Sequence, residues 1–289
     1  TGFENVEHAK RYTTLGMATD QGKTSNINGV HVLSQSLGKP VDKIGHTTFR
    51  PPYKPIPLGL IAGQYAKKLF KPVRKTPIDK WNLLNNAIWE PVADWRRAYA
   101  YPKGNEGLEE TLSREVLSVR KNVGLLDSST LGKILVKGPD AGRFLDLIYT
   151  NMISTLKAGK CRYGLMCNEA GFVFDDGVVA RLNDQSFLCH TTSGGADRVY
   201  AWLEEWLQTE WHHLKVFIVN LTEQYSQIAV AGPKSRELLQ TFKSIDLSAE
   251  KLPFMNFIET NIDDIWVRIY RISFSGELCY ELAVNSNQA

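Results

Sequence analysis

Residues 161–182 read CRYGLMCNEAGFVFDDGVVARL, and this stretch decides the fold. Cys161 to Met166 and Val173 to Leu182 are rich in β-branched and apolar side chains. Between them, Asn168-Glu169-Ala170-Gly171 is a turn-forming set. Two strands joined by a turn this short pair antiparallel, since a parallel pair needs a crossover of a dozen residues or more. On either side strands and helices alternate with gaps of hairpin length. Upstream, Leu108 to Asn122 carries Leu112, Val116 and Val119 at helical spacing and is closed by Gly124-Leu125-Leu126-Asp127. Lys133 to Gly138 reads as a strand ending in a turn, and Pro139-Asp140 opens a helix bearing Phe144, Leu145, Leu147 and Ile148. Downstream come a strand at Ser186 to Thr191 and a helix at Ala196 to Trp206 with Val199, Trp202, Leu203 and Trp206 on one face. Val216 to Val219, Gln227 to Val230 and Leu278 to Leu282 read as further strands, and Gly232-Pro233 begins a helix through Phe242. The expected class is α+β, with mixed, mainly antiparallel sheets rather than a doubly wound parallel sheet.

The front of the chain has a different texture. Residues 1–81 hold 13 Lys/Arg against 5 Asp/Glu, and the remainder holds 21 against 26. Arg50-Pro51-Pro52-Tyr53-Lys54-Pro55-Ile56-Pro57 must be extended, because each proline fixes its own φ and biases its predecessor away from helix. Asn28 to Leu37 allows one short helix with Gly38 as its stop. We therefore expect a basic, extended arm over 1–85, a strap for subunit contact, followed by a packed α+β domain over 86–289. The basic balance suits a phosphate or an acidic partner. The proline and glycine content and the lack of a basic helix disfavour nucleic acid.

The 289 residues allow one large domain or two modest ones, and no apolar run approaches the roughly 18 residues of a membrane span. The polar start, Thr1 to Lys10, is unlike a leader; with reduced cysteines this predicts a cytoplasmic protein. The chain starts without Met and stops after a strand-like stretch, so both ends are expected to be cuts in a longer protein. Cys161, Cys167, Cys189 and Cys279 form no CxxC pair and predict no metal or redox site. His212-His213 lacks a second ligand pair. Gly22-Lys23-Thr24 lacks the glycine a phosphate-binding P-loop would need, since position 17 is Met17.

Several of these stretches, in order, resemble the aminomethyltransferase (glycine-cleavage T-protein) family: Glu115 to Arg120, Val123 to Asp127, Gly132-Lys133, Gly138 to Ala141, Gly159 to Tyr163, Cys167 to Gly171, Asp175-Asp176, Ala231-Gly232-Pro233 and Ser273 to Glu281. The front segments Lys10 to Asn26 and Thr47 to Tyr53, and Trp202 to Trp211, are similar to the alpha subunits of heterotetrameric sarcosine oxidases, which plain T-proteins do not share. The resemblance implies a folate-binding T-protein fold whose C-terminal part is missing. It implies oxidative demethylation of sarcosine to glycine, with the one-carbon unit passed to tetrahydrofolate as 5,10-methylenetetrahydrofolate and hydrogen peroxide formed. It also implies FMN at the interface with a beta subunit, FAD and NAD elsewhere, and beta, gamma and delta subunits as partners. The alternatives are a component of a related N-methyl amine dehydrogenase and a non-catalytic folate-binding or assembly module.

Site residues follow from the same resemblance. Asp176 faces the folate N5/N10 region as the catalytic carboxylate, Tyr163 stacks on or hydrogen-bonds the pterin, and Glu281 holds its guanidine-like edge. Asp175 and Phe274 complete the expected folate set. Adjacent strand residues point to opposite faces, so only one of Asp175 and Asp176 can face a given site. A carboxylate suits the pterin edge because it accepts two parallel N–H bonds. Phe274 stands where the family often has Tyr, and Ser129-Thr130 where it often has Ser-His, which removes two contacts. For the FMN phosphate, charge and hydroxyls cluster at Arg11, Thr13, Thr14, Lys23 and Thr24.

Overall fold

A computed structural model describes residues 2–63, 73–242 and 245–289, and the chain divides into two units, Thr1–Pro72 and Val73–Ala289. In the first unit, Asn5 caps a helix over Val6–Tyr12 by accepting the Glu7 N–H at 2.9 Å, and Glu7 pairs with Arg11 one turn on. Asp20 gathers the N–H groups of Gly22, Thr24 and Ser25 and so starts a second helix, Ser25–Leu37, which ends on Gly38 at φ +60°. The expected arm is thus more helical than read: the helix allowed over Asn28 to Leu37 starts at Ser25, and the helix Val6–Tyr12 precedes it. Residues 45–57, where the prolines lie, do hold neither helix nor strand. Among the described residues of this unit only Val6 and Ile44 are buried apolar side chains, joined by Val6 N–H to Ile44 O at 3.0 Å. So small a core leaves polar bonds to hold the loops: Arg50 donates to the carbonyls of Leu15 and Lys10, each at 3.1 Å.

The second unit begins earlier than texture suggested. A three-stranded sheet runs in the order β1 (Arg74–Lys75), β3 (Trp95–Ala100), β2 (Ile88–Val92), with the helix Asp79–Leu84 between β1 and β2. Asp79 takes a bidentate bond from Arg96, and fully buried Asn82 donates to Asp127 and accepts from Tyr101. A boundary at 85/86 would cut through these bonds, so the division falls at Pro72/Val73 instead.

Two five-stranded antiparallel sheets make up the rest. The first runs β6 (Cys161–Cys167), β7 (Val173–Asn183), β8 (Ser186–Thr191), β5 (Gly132–Lys137), β9 (Phe217–Asn220). The second runs β11 (Phe257–Ile262), β12 (Ile265–Tyr270), β13 (Cys279–Asn285), β10 (Tyr225–Ala231), β4 (Gly124–Asp127). Gly124 to Asp127 is thus an edge strand rather than a mere helix end; pairing with β10 outweighs its closing role. The hairpin read from residues 161–182 is β6–β7, with Tyr163 opposite Val178 and Leu165 opposite Asp176. The α+β fold is as expected.

Side-chain alternation shows how the two sheets meet. On β8, Phe187 and Cys189 join the core with Ile134, Val136, Phe144 and Val199, beneath the helices Ala141–Ile148 and Ala196–Gln208. On β12 and β13, Val267, Ile269 and Tyr280 pack with Leu239, Leu247 and Leu252, beneath the short helix Ser235–Leu239. The opposite faces turn toward each other, and Cys161, Ala180, Phe257, Tyr270, Ile272 and Ala283 form an apolar cluster between the sheets. Cys161 N–H to Met255 O at 2.7 Å and Phe257 N–H to Gly159 O at 3.1 Å join the sheets where β6 and β11 come together. Both faces of β8 are therefore covered, and every residue from Ser186 to Thr191 is buried.

Candidate functional site

The inter-sheet face holds more than apolar residues. Lys133, His190, Gln227, Arg268 and Glu281 are all buried, and each sits on a strand whose alternate residues belong to an outer core. Glu281 accepts from the Gln227 amide. His190 Nδ1 meets Val178 O at 2.9 Å, and its ring stands edge-on to Tyr270 with centroids 5.3 Å apart. Lys133 donates to Ser129 O at 3.1 Å and Leu131 O at 2.8 Å, and so ties down the crossing from β4 to β5. Arg268 donates through Nε (2.8 Å) and Nη2 (2.6 Å) to Glu259.

Burial shapes the charges of this set. It pushes the Lys133 amine down to about 8, opposed by the fields of Glu281 and Asp127. Burial also pushes the Glu281 carboxyl up, opposed by the Gln227 bond and by Lys133. The His190 ring is pushed down to about 4, chiefly by burial and further by Lys133 and Arg268.

Near the outer end of β7 the two neighbouring aspartates part. Asp176 lies on the inter-sheet face, opposite Leu165, and accepts from the Tyr163 hydroxyl at 2.8 Å. Tyr163 is two residues along β6 from Leu165, so this is a diagonal cross-strand pair. That bond raises the Tyr163 hydroxyl above its usual range. Tyr163 is half exposed, which leaves this end of the face open to solvent. Asp175 is buried on the helix side, where Oδ1 takes the Asp176 N–H at 2.9 Å and the Thr192 N–H at 3.4 Å. This corrects the grouping of Asp175 with the ligand-facing residues: strand alternation sends it to the loop before the helix Ala196–Gln208. Phe274 is 97% exposed on the loop between β12 and β13, so the described structure does not bring it to the other candidates.

The Asp176–Tyr163 bond makes a prediction of its own. Tyr163→Phe keeps the ring but removes the donor, and is expected to lower ligand turnover several-fold, in line with about 1 kcal/mol for one partly exposed hydrogen bond. Steady-state kinetics check it, and unchanged kcat and KM would show that the hydroxyl has no part.

Three of the five residues expected to cradle a flavin phosphate are committed elsewhere. Arg11 pairs with Glu7 at 2.6 Å, Thr13 Oγ1 donates to Ala9 O at 2.7 Å, and Thr24 Oγ1 donates to Asp20 Oδ1 at 2.6 Å. Thr14 is exposed, and Lys23 lies 5.5 Å from the Tyr53 ring centre. Asp20 already holds the Thr24 hydroxyl and repels a phosphate, and Thr13 and Arg11 are bonded within their own helix, so these residues do not fit an FMN phosphate by themselves. Among the described residues no group of three His, Cys, Asp or Glu is placed to hold a metal ion, and no helix is long and apolar enough to cross a membrane.

Lys133, His190, Gln227 and Arg268 were not singled out from the sequence. For Lys133, Gln227 and Arg268 the one signal was a charged or amide residue among the apolar residues of its strand, a pattern that ordinarily marks a solvent-facing position; His190 follows the apolar run Phe187-Leu188-Cys189 and gave no such signal.

Comparison with known proteins is consistent with this architecture. The family described as GCVT N-terminal domain matches residues 78–289, and that described as Sarcosine oxidase A3 domain matches residues 1–64. The chain is 47% identical over 289 residues to sarcosine oxidase subunit alpha of Corynebacterium sp. (strain P-1), covering 99% of this chain and 30% of that protein. It is 43% identical over 286 residues to the subunit alpha of Rhizobium meliloti (strain 1021), covering 98% and 29%. The chain thus spans about a third or less of the length of these curated relatives. A crystal structure of glycine cleavage system aminomethyltransferase T from Bartonella henselae superposes with a TM-score of 0.64 at 26% identity, covering 75% of this chain and 55% of that one. With its sheets, its inter-sheet face and these matches together, the chain belongs to the GCVT N-terminal domain family, and it carries that domain behind a sarcosine oxidase A3 domain as a homologue of the sarcosine oxidase alpha subunits.

Proposed function

We propose that the inter-sheet face binds a reduced folate, with Glu281 accepting the two N–H donors of the pterin edge and Asp176 beside the N5/N10 region. The observation that carries this reading is the placement of Asp176 and Glu281 on the facing sides of two sheets, one at the open end with Tyr163 and the other buried. A buried carboxylate with only an amide donor has acceptor capacity left for a ligand. As part of a larger enzyme, the chain would serve sarcosine oxidation. An iminium formed from sarcosine at a flavin outside this chain's folate face reacts with tetrahydrofolate: N5 and N10 bond to its CH2 carbon, the C–N bond to glycine breaks, and the two protons from N5 and N10 end on the glycine amine. A single carboxylate that accepts a proton and returns it meets that balance, which is the role we assign to Asp176. Beta, gamma and delta subunits would be the partners. FMN, if it lies against residues 1–64, takes its phosphate from residues other than Arg11, Thr13 and Thr24.

The test is calorimetric binding of 5-formyltetrahydrofolate to the full-length protein in its complex. Wild type is expected to bind, and Glu281→Gln to weaken binding at least about tenfold, because charge-assisted bonds are worth roughly twice neutral ones. No binding by wild type would sink the folate reading and leave an assembly module.

A further inference from the structure

Asp175 uses one carboxylate oxygen to hold two backbone N–H groups and keeps the other enclosed. Oδ1 takes the N–H of Asp176 at 2.9 Å and that of Thr192 at 3.4 Å. Oδ2 is buried and without a hydrogen-bond partner among the described residues. A buried carboxylate oxygen without a donor costs free energy and asks for an explanation.

Its place in the sheet supplies one. β7 and β8 pair from Asn183 opposite Ser186 to Val179 opposite Cys189, and the register ends there. Asp176 lies three residues further along β7 and has a register partner only on β6, Leu165. On the β8 side the Asp175 carboxylate stands in for the ladder, since it bridges the Asp176 N–H to the loop that follows β8. That loop is itself fixed. Ser193 Oγ pairs with Thr130 Oγ1 at 2.7 Å, and Thr192 O and Oγ1 both take the Gly195 N–H at 3.1 Å. Arg198, in the first turn of the helix Ala196–Gln208, donates to Phe174 O at 2.6 Å, so the residue before Asp175 is held to the same helix start.

The enclosed Oδ2 rests against Gly195, the residue that precedes this helix. A Cβ there would stand 2.0 Å from Oδ2 and 2.8 Å from Cγ of Asp175. Only glycine lets the carboxylate come so close to the N-terminus of a 13-residue helix, where the dipole favours negative charge. One carboxylate is thus held from two sides, by hydrogen bonds at Oδ1 and by the helix start at Oδ2.

We propose that Asp175 is a positioning residue: seated on the helix start through Gly195, it fixes the backbone of β7 so that the Asp176 carboxylate meets the N5/N10 region of a bound reduced folate. This rests on the folate reading of Asp176 and names what aims it. Strand alternation sends the two side chains to opposite faces, so Asp175 acts only through its neighbour. Rate is more sensitive to placement than affinity is: a displacement of about 1 Å can cost about a hundredfold in turnover. Pterin affinity, assigned to Glu281 on the other sheet, does not depend on where β7 carries Asp176.

The experiment uses the intact complex and reads two quantities for each variant. One is the ratio of 5,10-methylenetetrahydrofolate to formaldehyde formed from sarcosine at saturating tetrahydrofolate; the other is Kd for 5-formyltetrahydrofolate. Asp175→Ala is expected to lower the ratio at least about tenfold while Kd stays within about twofold of wild type. Gly195→Ala, which drives the carboxylate off its seat from the other side, is expected to do the same. The double variant should fall no further than Asp175→Ala alone, because the added methyl then meets only the exposed Thr192 hydroxyl, which can turn away. An unchanged ratio in Asp175→Ala overturns the proposal, and so does a parallel loss of ratio and affinity, which marks a merely structural role. Losses that multiply in the double variant separate Gly195 from Asp175 and overturn the seating. If Asp175→Ala does not assemble, the same two readings on Gly195→Ala decide. Wild type that fails to bind 5-formyltetrahydrofolate overturns the folate reading itself, whereas wild type that binds beside an unaffected Asp175→Ala overturns only the positioning role.

Discussion

Replacing Gly177 with valine is expected to destabilise the sheet that carries Asp176 by more than about 3 kcal/mol and to abolish ligand binding. A Cβ at position 177 would stand 2.0 Å from the His190 carbonyl oxygen and 2.7 Å from its carbonyl carbon. Neither atom belongs to a side chain that could swing away, so β7 and β8 would have to separate. Gly177 is flanked by Asp176 and by Val178, whose carbonyl holds His190, so separation disturbs both ends of the inter-sheet face at once. Gly194→Ala is the control: its Cβ would meet only Ala93 Cβ at 3.7 Å, an ordinary contact, and should change stability by no more than about 0.5 kcal/mol. Amide hydrogen exchange over residues 173–191 in the intact protein measures the local loss. Protection in Gly177→Val equal to that of the control would mean that the close approach is not a constraint.

The second large effect is on chemistry. Asp176→Asn keeps the shape and the acceptor for Tyr163 but removes the base, and is expected to lower folate-dependent transfer about a hundredfold or more. Peroxide formation from sarcosine should continue in the same preparation, because oxidation is assigned to a flavin outside this face. The uncaptured iminium should then hydrolyse, so that formaldehyde replaces 5,10-methylenetetrahydrofolate among the products. Retention of full transfer by Asp176→Asn would remove this carboxylate from the mechanism. Loss of peroxide along with transfer would point to a collapsed structure rather than a missing base.

Much of this was legible in the sequence for a simple reason: local signals and tertiary structure agree along β6, β7, β8 and the helices above them. The turn at Asn168 to Gly171 and the alternation on either side fixed a hairpin, and the hairpin placed Asp175 and Asp176 on opposite faces. Phe144, Val199 and Leu203 recur at helical spacing and are buried where that spacing points. Local propensity also allowed Gly38 to be read as a helix stop. The hairpin over Ile88–Ala100 and the pair β11–β12 were missed, and Gly124 to Asp127 was read as a helix end, because a strand's status there depends on a partner distant in sequence.

The candidate site divides in the same way. The family resemblance carried by the sequence motifs nominated Asp176, Tyr163 and Glu281, and the local cluster of charge with hydroxyls nominated the residues near Lys23. Only the folded first unit showed that Thr13 and Thr24 spend their hydroxyls on neighbours one helical turn away. Only the packing of one sheet on another could turn Lys133, Gln227 and Arg268 from positions that alternation reads as solvent-facing into a buried polar layer, with His190 beside them. Periodicity reports which residues share a face; what that face meets is set by contacts between residues far apart in the chain, as Gln227 and Glu281 are.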